Sequence, residues 1–479
     1  MDSRLLLLLT LSLLPACGKK GGDDQPIIPS AMVAPHTTAE FFDGYFASRY
    51  FIADPACQSS VSGGGKIDHA NVSVWRDGKV AQTNLSFPTA QARPALSSKG
   101  ISLALYGLYQ QTDCGSATDA SQCQSTPPVS LVAASTPLNI CDTNREFVRT
   151  SVEAVALTGL AMLESASVFY RKVDGHSSDL PEASLLVLPK VETLYQDGAT
   201  RSEAVDNLSY VPNFSGSPTF VIFPKGAFSV SMGRWVDVNL WEIPWTLAHE
   251  FGHHIFRFHS DIAAAASGIA GAVPVHSFPT APDSNTGFAL TAASGTRHIG
   301  DADLLAAVNE GFADLYAYYV QGSVPGMTKG IDCFHENRDA GIALFADAQP
   351  KVLSAAVLAQ FMSTTKASPN IDCSVPFYQD IHVIGAIFAY GVDQIFSASV
   401  GQDAAKKTAL MLDWAKRIGQ DYLPTQGTAS ANLTFGTFAH AALATIANGS
   451  TLPVAACDAA KKVFPTYSDA WLSGEFTCK

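Results

Sequence analysis

The chain has 479 residues, of which 47% are hydrophobic and 15% charged. This length and composition give room for two or three domains with sizeable cores, and they exclude a largely disordered protein. There are 30 Lys and Arg residues against 43 Asp and Glu residues, so the formal net charge is −13. An acidic balance of this size argues against binding to nucleic acid or to an anionic lipid surface.

The N-terminus has the pattern of an export signal. Arg4 precedes a Leu-rich run over 5–14, which is too short to span a bilayer. The run ends in Leu-Pro-Ala-Cys, which resembles the cleavage box of bacterial lipoproteins. This resemblance implies a signal peptide at 1–16 and a lipidated Cys17, with cleavage as an ordinary signal peptide as the alternative. We therefore expect an exported lipoprotein, anchored in the cell envelope at the outer membrane or cell surface.

The cysteines agree with an oxidising compartment. Nine are present, and the eight that remain without Cys17 are an even number, as disulfides require. Nearness in sequence suggests three of the pairs, while the partners of Cys57 and Cys141 stay open. The suggested pairs are Cys114 with Cys123, Cys333 with Cys373 and Cys457 with Cys478.

After the signal, the residue pattern changes twice. Residues 17–40 are rich in Gly, Pro, Lys and Asp, which is typical of a flexible tether. Residues 41–140 contain short alternating runs, such as 71–75 and 101–106, broken by Gly, Pro and Ser. This pattern predicts a small all-β domain.

The remaining segment, 145–479, is expected to be a second domain of mixed helix and sheet. A helical period over 145–170 is followed by strand-like runs at 184–191 and 219–223. Residues 260–300, rich in Ala, Gly, Ser and Pro, are interpreted as an insertion. Helices are predicted beyond it, at 305–319, 355–362, 382–396 and 404–418. The expected fold class is α+β, with a mixed sheet lobe and a mostly helical C-terminal lobe.

The run His-Glu-Phe-Gly-His at 249–253 carries the strongest chemical signal. On a helix, His249 and His253 lie on one face, where both imidazoles can bind one zinc ion, and Glu250 can reach a water on that ion. The flanking residues are strongly apolar. Buried histidine and glutamate side chains need a partner such as a metal, since burying them unpaired costs several kcal/mol.

Zinc needs a third protein ligand, and two residues compete for that place. Glu310 opens a predicted helix, and Asp314 follows at i+4, where it can accept the outer N–H of a zinc-bound histidine. The other candidate is His259, ten residues after the first histidine. Its pattern requires a glycine where the chain leaves the helix, but Phe256 stands there, and a bulky aromatic residue tolerates positive φ poorly. Glu310 is therefore favoured.

These motifs resemble the gluzincin metallopeptidases, and among them the thermolysin-like enzymes. A further segment, Asp-Ile-His-Val-Ile-Gly at 380–385, is similar to the family segment whose histidine stabilises the tetrahedral intermediate. The resemblance implies a zincin-like fold with zinc held by His249, His253 and Glu310, and with Asp314 behind them. It also implies His382 as the oxyanion stabiliser. The spacing departs from the family, because 310 − 253 = 57 residues separate Glu310 from the second histidine.

The predicted function is that of a zinc-dependent endopeptidase, acting as a monomer on protein or peptide substrates. Zinc would lower the pKa of a bound water, and Glu250 would take its proton as general base. Two alternatives stay open: a zinc amidase or esterase acting on a non-protein substrate, and a catalytically silent surface binding protein.

Overall fold

A computed structural model of the chain describes its regular elements and the segments next to them. The described residues are 69–76, 79–86, 95–98, 101–104, 108–113, 129–133, 152–174, 180–188, 191–194, 200–203, 206–214, 217–224, 227–229, 234–236, 244–266, 288–292, 295–299, 301–322, 338–345, 348–361, 381–422, 434–465 and 474–479. The predicted signal peptide, the lipidation site Cys17 and the tether to residue 40 lie outside these residues. The cysteine pairs predicted for 114 with 123 and for 333 with 373 lie outside them as well.

The chain divides into two compact units. The first comprises Met1–Ser165 and Glu182–Leu247, and the second comprises Ala166–Pro181 and Ala248–Lys479. Helices and strands are both present in the described residues, and helices predominate. This mixture is compatible with the predicted α+β class.

The first unit contains a seven-stranded sheet, whose strand order is β1-β2-β3-β4-β7-β11-β10. A four-stranded sheet has the order β6-β5-β8-β9, and β12 and β13 form a separate pair. The strands are β1 (His69–Arg76), β2 (Lys79–Ser86), β3 (Ala95–Ser98), β4 (Ile101–Ala104), β5 (Leu108–Asp113), β6 (Val129–Ala133), β7 (Ala183–Val187), β8 (Val191–Leu194), β9 (Thr200–Glu203), β10 (Asp206–Phe214), β11 (Ser217–Pro224), β12 (Ala227–Ser229) and β13 (Arg234–Val236).

Strand pairing joins the two segments that the sequence analysis assigned to different domains. β4 lies in 41–140 and pairs in parallel with β7, placing Leu103 opposite Leu185. β5 pairs in parallel with β8 in the same way. Strands from 41–140 therefore share both sheets with strands that follow residue 145. Parallel partners are far apart in the chain, so local alternation predicts the strands but not their neighbours.

The core of the first unit lies where β7 and β11 pair. Leu185 and Phe220 are opposite each other in this parallel pair, and both are buried. Helix α1 (Val152–Asp174) packs on this pair through Gly159, where an added Cβ would lie 2.6 Å from Cδ1 of Ile222. A side chain at position 159 would therefore require the side chain of Ile222 to move.

The second unit is mainly helical in its described residues. Its helices are α2 (Pro244–Ala266), whose first turn belongs to the first unit, α3 (Asp301–Gln321), α4 (Ala355–Phe361), α5 (Ile381–Val400), α6 (Ala404–Arg417), α7 (Phe435–Ile446) and α8 (Val454–Val463). The helices predicted from 305, 355, 382 and 404 are all present. A hairpin of β14 (Phe288–Ala292) and β15 (Gly295–Ile299) lies within the predicted insertion.

Helix α5 forms the centre of this unit. Fifteen of its residues are buried, among them Ile384, Phe388 and Ile395. Within the described part of the chain it is the one helix that is long and apolar enough to cross a membrane. Of its apolar 18-residue stretch, 72% is buried inside the protein. The core helix of a folded domain has the same length and composition, so this property is weak evidence for a membrane span.

The C-terminal end of the second unit is closed by a disulfide. Cys457 on α8 is bonded to Cys478, which confirms that predicted pair. The bond lies beside a short parallel pair of strands, β16 (Thr451–Leu452) and β17 (Thr477–Cys478). This covalent link joins β17 to α8.

Candidate metal centre

Helix α2 carries the two histidines and the glutamate of the central motif. Pro244 is its first residue, a position that proline favours because the first helical N–H needs no partner. His249 and His253 are one turn apart and buried, and their Nε2 atoms lie 3.0 Å from each other. Both imidazoles therefore direct the same type of nitrogen to one point. Glu250 lies beside them and is 6% exposed.

Glu310 on α3 completes the group. Its Oε2 lies 3.3 Å from Nε2 of His249, and its Oε1 lies 3.6 Å from Nε2 of His253. One ligand atom from each of these three residues can be chosen so that all lie within 4.8 Å of one another, and the three side chains are buried. The arrangement can hold a metal ion. The structure thus brings together the three residues that the sequence analysis assigned as ligands.

Asp314 lies where the sequence predicted it, one helical turn after Glu310. Its Oδ1 is 2.8 Å from Nδ1 of His249, so the imidazole donates its outer N–H to this carboxylate. The hydrogen bond fixes the ring orientation and leaves Nε2 directed at His253 and Glu310. A carboxylate in this position also makes the ring a stronger metal ligand.

Arg338 also belongs to the site, although the sequence analysis did not identify it. Its Nη2 donates to Oδ1 of Asp314 at 2.8 Å and to Oε2 of Glu310 at 3.3 Å, and its Nε donates to Oδ1 of Asp314 at 3.1 Å. Burial acts to lower the pKa of Arg338. The surrounding carboxylates of Asp314, Glu310 and Glu250 outweigh burial and raise this pKa. Arg338 therefore stays charged and holds both Asp314 and the ligand Glu310, and its Nη2 also lies 3.0 Å from Nε2 of His249.

The charge balance of the group favours a positive occupant. Burial and the nearby Arg338 lower the pKa of His249, yet hydrogen bonds with Asp314 and Glu310 outweigh them and raise this pKa from 6.5 to about 9. The carboxylates therefore favour positive charge on His249. A metal cation at Nε2 can take the place of that proton, because metal binding requires the neutral imidazole.

His382 on α5 lies at the edge of the group. Its Nε2 is 3.4 Å from Oε2 of Glu310, and the residue is 9% exposed. The structure therefore places the proposed oxyanion residue next to the ligands rather than in a separate part of the core.

His259, the competing third ligand, lies apart from the group. Helix α2 continues without a break through Phe256 to Ala266, so no turn brings His259 back to the other histidines. Its Nε2 is instead hydrogen bonded to the hydroxyl of Tyr170 at 3.0 Å. His254 lies 3.3 Å from the carbonyl oxygen of Pro181 and is also not among the ligands.

Three glycines, Gly252, Gly311 and Gly385, allow the helices α2, α3 and α5 to pack closely together. A Cβ on Gly252, between the two ligand histidines, would lie 2.7 Å from Cα of Ala313. A Cβ on Gly311, which follows Glu310, would lie 2.5 Å from the carbonyl oxygen of Gly385. Both distances are shorter than any real Cβ contact, so the absence of side chains lets α2, α3 and α5 approach at the level of the ligands.

We predict that Gly385→Ala destabilises the protein by about 1–3 kcal/mol, the usual cost of overpacking. The new Cβ would lie 2.7 Å from the backbone nitrogen of Gly311, and backbone in a helix cannot move aside easily. Urea unfolding measures the change. Gly391→Ala is the control on the same helix, because the three atoms nearest to its Cβ belong to the side chains of Phe464 and Val463 and not to backbone. An equal cost for both substitutions would contradict this explanation.

A second prediction concerns pH. Burial, with a smaller effect of Lys416, lowers the pKa of His259 from 6.5 to about 3. Between these values the unfolded chain binds a proton that the folded protein excludes, so stability is lost as the pH falls below 6.5. Moving from pH 7 to pH 5 should cost about 2 kcal/mol through this residue. Urea unfolding at both pH values should show a smaller loss for His259→Gln, which keeps a partner for Tyr170. Equal losses in both proteins would contradict the prediction.

No family model matches the chain, and no curated protein matches it with significance.

Proposed function

We propose that this protein is a zinc-dependent endopeptidase of the gluzincin type. The observation that carries the proposal is the buried group of His249, His253 and Glu310, with Glu250 next to it on the same helix. Two imidazoles and one carboxylate are the protein ligands of several catalytic zinc sites, which keep a fourth position for water. Glu250 adds a carboxylate that a purely binding site does not need.

The distances between the three ligand residues are of the size that a zinc site needs. Ligand atoms at about 2.0–2.2 Å from a tetrahedral zinc ion lie roughly 3.3–3.6 Å from one another. Here the two Nε2 atoms are 3.0 Å apart, slightly closer than that range, and they lie 3.3 Å and 3.6 Å from Oε2 and Oε1 of Glu310, respectively. When bound, such an ion lowers the pKa of a coordinated water to near 7 and polarises a substrate carbonyl.

Each residue of the site then has a role in peptide hydrolysis. Glu250 takes a proton from the attacking water and carries it to the leaving amine, as a general base that becomes a general acid. His382 donates its Nε2–H toward the charge that develops on the carbonyl oxygen, and a donor of this kind contributes about 2.7–4 kcal/mol. Asp314 and Arg338 keep His249 in one orientation through the hydrogen bonds described above.

The fold and the location belong to the same proposal. A mixed sheet followed by helices that carry the ligands is what a zincin-like catalytic domain requires. The bond between Cys457 and Cys478 supports an oxidising compartment, in keeping with export and with anchoring through Cys17. We propose a monomer in the cell envelope that takes protein or peptide substrates.

The test is cleavage of casein by the purified chain, with the products sequenced by mass spectrometry. We expect internal cleavage that a zinc chelator stops and added zinc restores. Hydrolysis of simple amides or esters without cleavage of casein would replace the peptidase with a zinc amidase or esterase. Zinc binding without hydrolysis of any of these substrates would contradict an enzymatic function and favour a binding protein.

A further inference from the structure

A buried lysine lies behind the metal centre, one layer beyond Arg338. Lys351 is 1% exposed and is among the largest fully buried side chains of the described residues. Burying an ammonium group costs several kcal/mol unless it is paired and hydrogen bonded. A lysine at this depth therefore needs specific contacts that stabilise its charge.

Lys351 contacts the backbone next to Arg338. Its Nζ donates a hydrogen bond to the carbonyl oxygen of Asp339. The same aspartate accepts the backbone N–H of Gly341 through Oδ1 at 2.7 Å, which closes a tight turn just after Arg338. The backbone N–H of Lys351 donates to the carbonyl oxygen of Ala343 at 2.9 Å. The side chain of Lys351 thus holds the start of the turn at 339–343, and its backbone holds the end.

Buried groups of both charge signs surround the start of this turn. Burial lowers the pKa of Lys351 from 10.5 to about 8, although Asp339 and Asp314 act in the opposite direction. Lys351 is therefore mainly charged at neutral pH. Asp339 attracts this ammonium, and the guanidinium of the preceding residue, Arg338, forms ion pairs with Asp314 and Glu310.

We infer that Lys351 is a positioning residue for the metal centre, acting by fixing the turn at 339–343 so that Arg338 holds Asp314 and Glu310. It touches no ligand and no reacting atom. The inference rests on the proposed function only for its consequence in catalysis, because the effect on Arg338 exists with or without hydrolysis.

The direct test follows the Nε–H of Arg338 by NMR in protein labelled with 15N-arginine, with its signal assigned by its loss in Arg338→Lys. In the unsubstituted protein we expect this hydrogen to exchange slowly with solvent, since Nε is buried and donates to both Asp314 oxygens. We expect Lys351→Met to speed that exchange at least about tenfold, because one lost hydrogen bond of this kind to a charged group is worth about 1.5–3 kcal/mol.

The controls separate positioning from general loosening of the fold. The indole N–H of Trp414 donates to the carbonyl oxygen of Phe438 at 3.0 Å in the same unit, and its exchange should not change. Lys406→Met removes the same charge from a side chain that is 67% exposed and should leave Arg338 unchanged. Lys351→Gln is made in parallel as a milder change that retains a donor, and it should give a smaller acceleration in the same direction.

Measurements of kcat/KM complete the test. Lys351→Met should lower kcat/KM in the otherwise unsubstituted enzyme and have no further effect in an Arg338→Met background, because both substitutions remove the same arrangement. Unchanged exchange at Arg338 in folded Lys351→Met and Lys351→Gln would overturn the inference, as would equal acceleration at Trp414. Absence of hydrolysis in the unsubstituted protein would instead count against the proposed function, while the exchange result still decides the role of Lys351.

Discussion

Replacing Glu250 by glutamine is expected to lower kcat/KM for peptide hydrolysis by about 10²–10⁴-fold, the usual contribution of a general base. Glutamine has nearly the same shape and fills the same buried space, but it cannot accept a proton from water. The substitution leaves His249, His253 and Glu310 unchanged, so we expect the metal content to stay the same. We therefore expect this variant to lose activity while it keeps its metal.

The measurement is steady-state cleavage of a peptide identified from the casein digest, together with elemental analysis of the same samples. Glu475→Gln makes the same chemical change on a carboxylate that is 66% exposed in the second unit, and it should retain full activity. If Glu250→Gln kept more than about a tenth of the activity, Glu250 would not be the general base.

Replacing Glu310 by alanine is expected to weaken metal binding by more than about 100-fold. Substituting a group that only supports a ligand typically costs 10–100-fold in metal affinity, and loss of a ligand should exceed that range. The change also removes a carboxylate that Arg338 and His382 both face, at 3.3 and 3.4 Å. Without it, the positive charge of Arg338 is less compensated beside the two histidines, which further disfavours a cation.

Metal affinity is measured by competition with a chelator of known affinity. The matched variant is His259→Gln, because that histidine was the other candidate for third ligand and lies instead against Tyr170. We expect it to bind metal as the unsubstituted protein does. Retained affinity in Glu310→Ala, with a loss in His259→Gln, would contradict the ligand set.

Local sequence patterns were enough to predict the parts of the site that depend on helix geometry. The spacing of His249 and His253 places both on one face, and the same spacing puts Asp314 one turn after Glu310. Phe256 in the place of a glycine indicated that the helix continues, and the structure has it continuing to Ala266. These are properties of a few neighbouring residues, so they can be read without knowing the fold.

Contacts between distant segments could not be predicted in this way. Arg338 lies in an irregular segment, 24 residues after Asp314, and no periodic pattern marks it. The contact of Gly311 with Gly385 could not be predicted either. The reason for a glycine in a helix becomes clear only when the residue packed against it is known. The parallel pairing of β4 with β7 across the predicted domain boundary could not be predicted for the same reason, because the two strands are far apart in the chain.

The central claim is that two imidazoles and one carboxylate hold a zinc ion in this chain, and X-ray absorption at the zinc edge tests it most directly. We predict one zinc per chain, with two imidazole nitrogens at about 2.0–2.1 Å and oxygen ligands at about 2.0–2.2 Å. In Glu250→Gln the protein ligands should be unchanged, because that residue does not bind the ion. A zinc site with three imidazoles or with sulfur ligands, or a chain that binds no zinc, would contradict the claim.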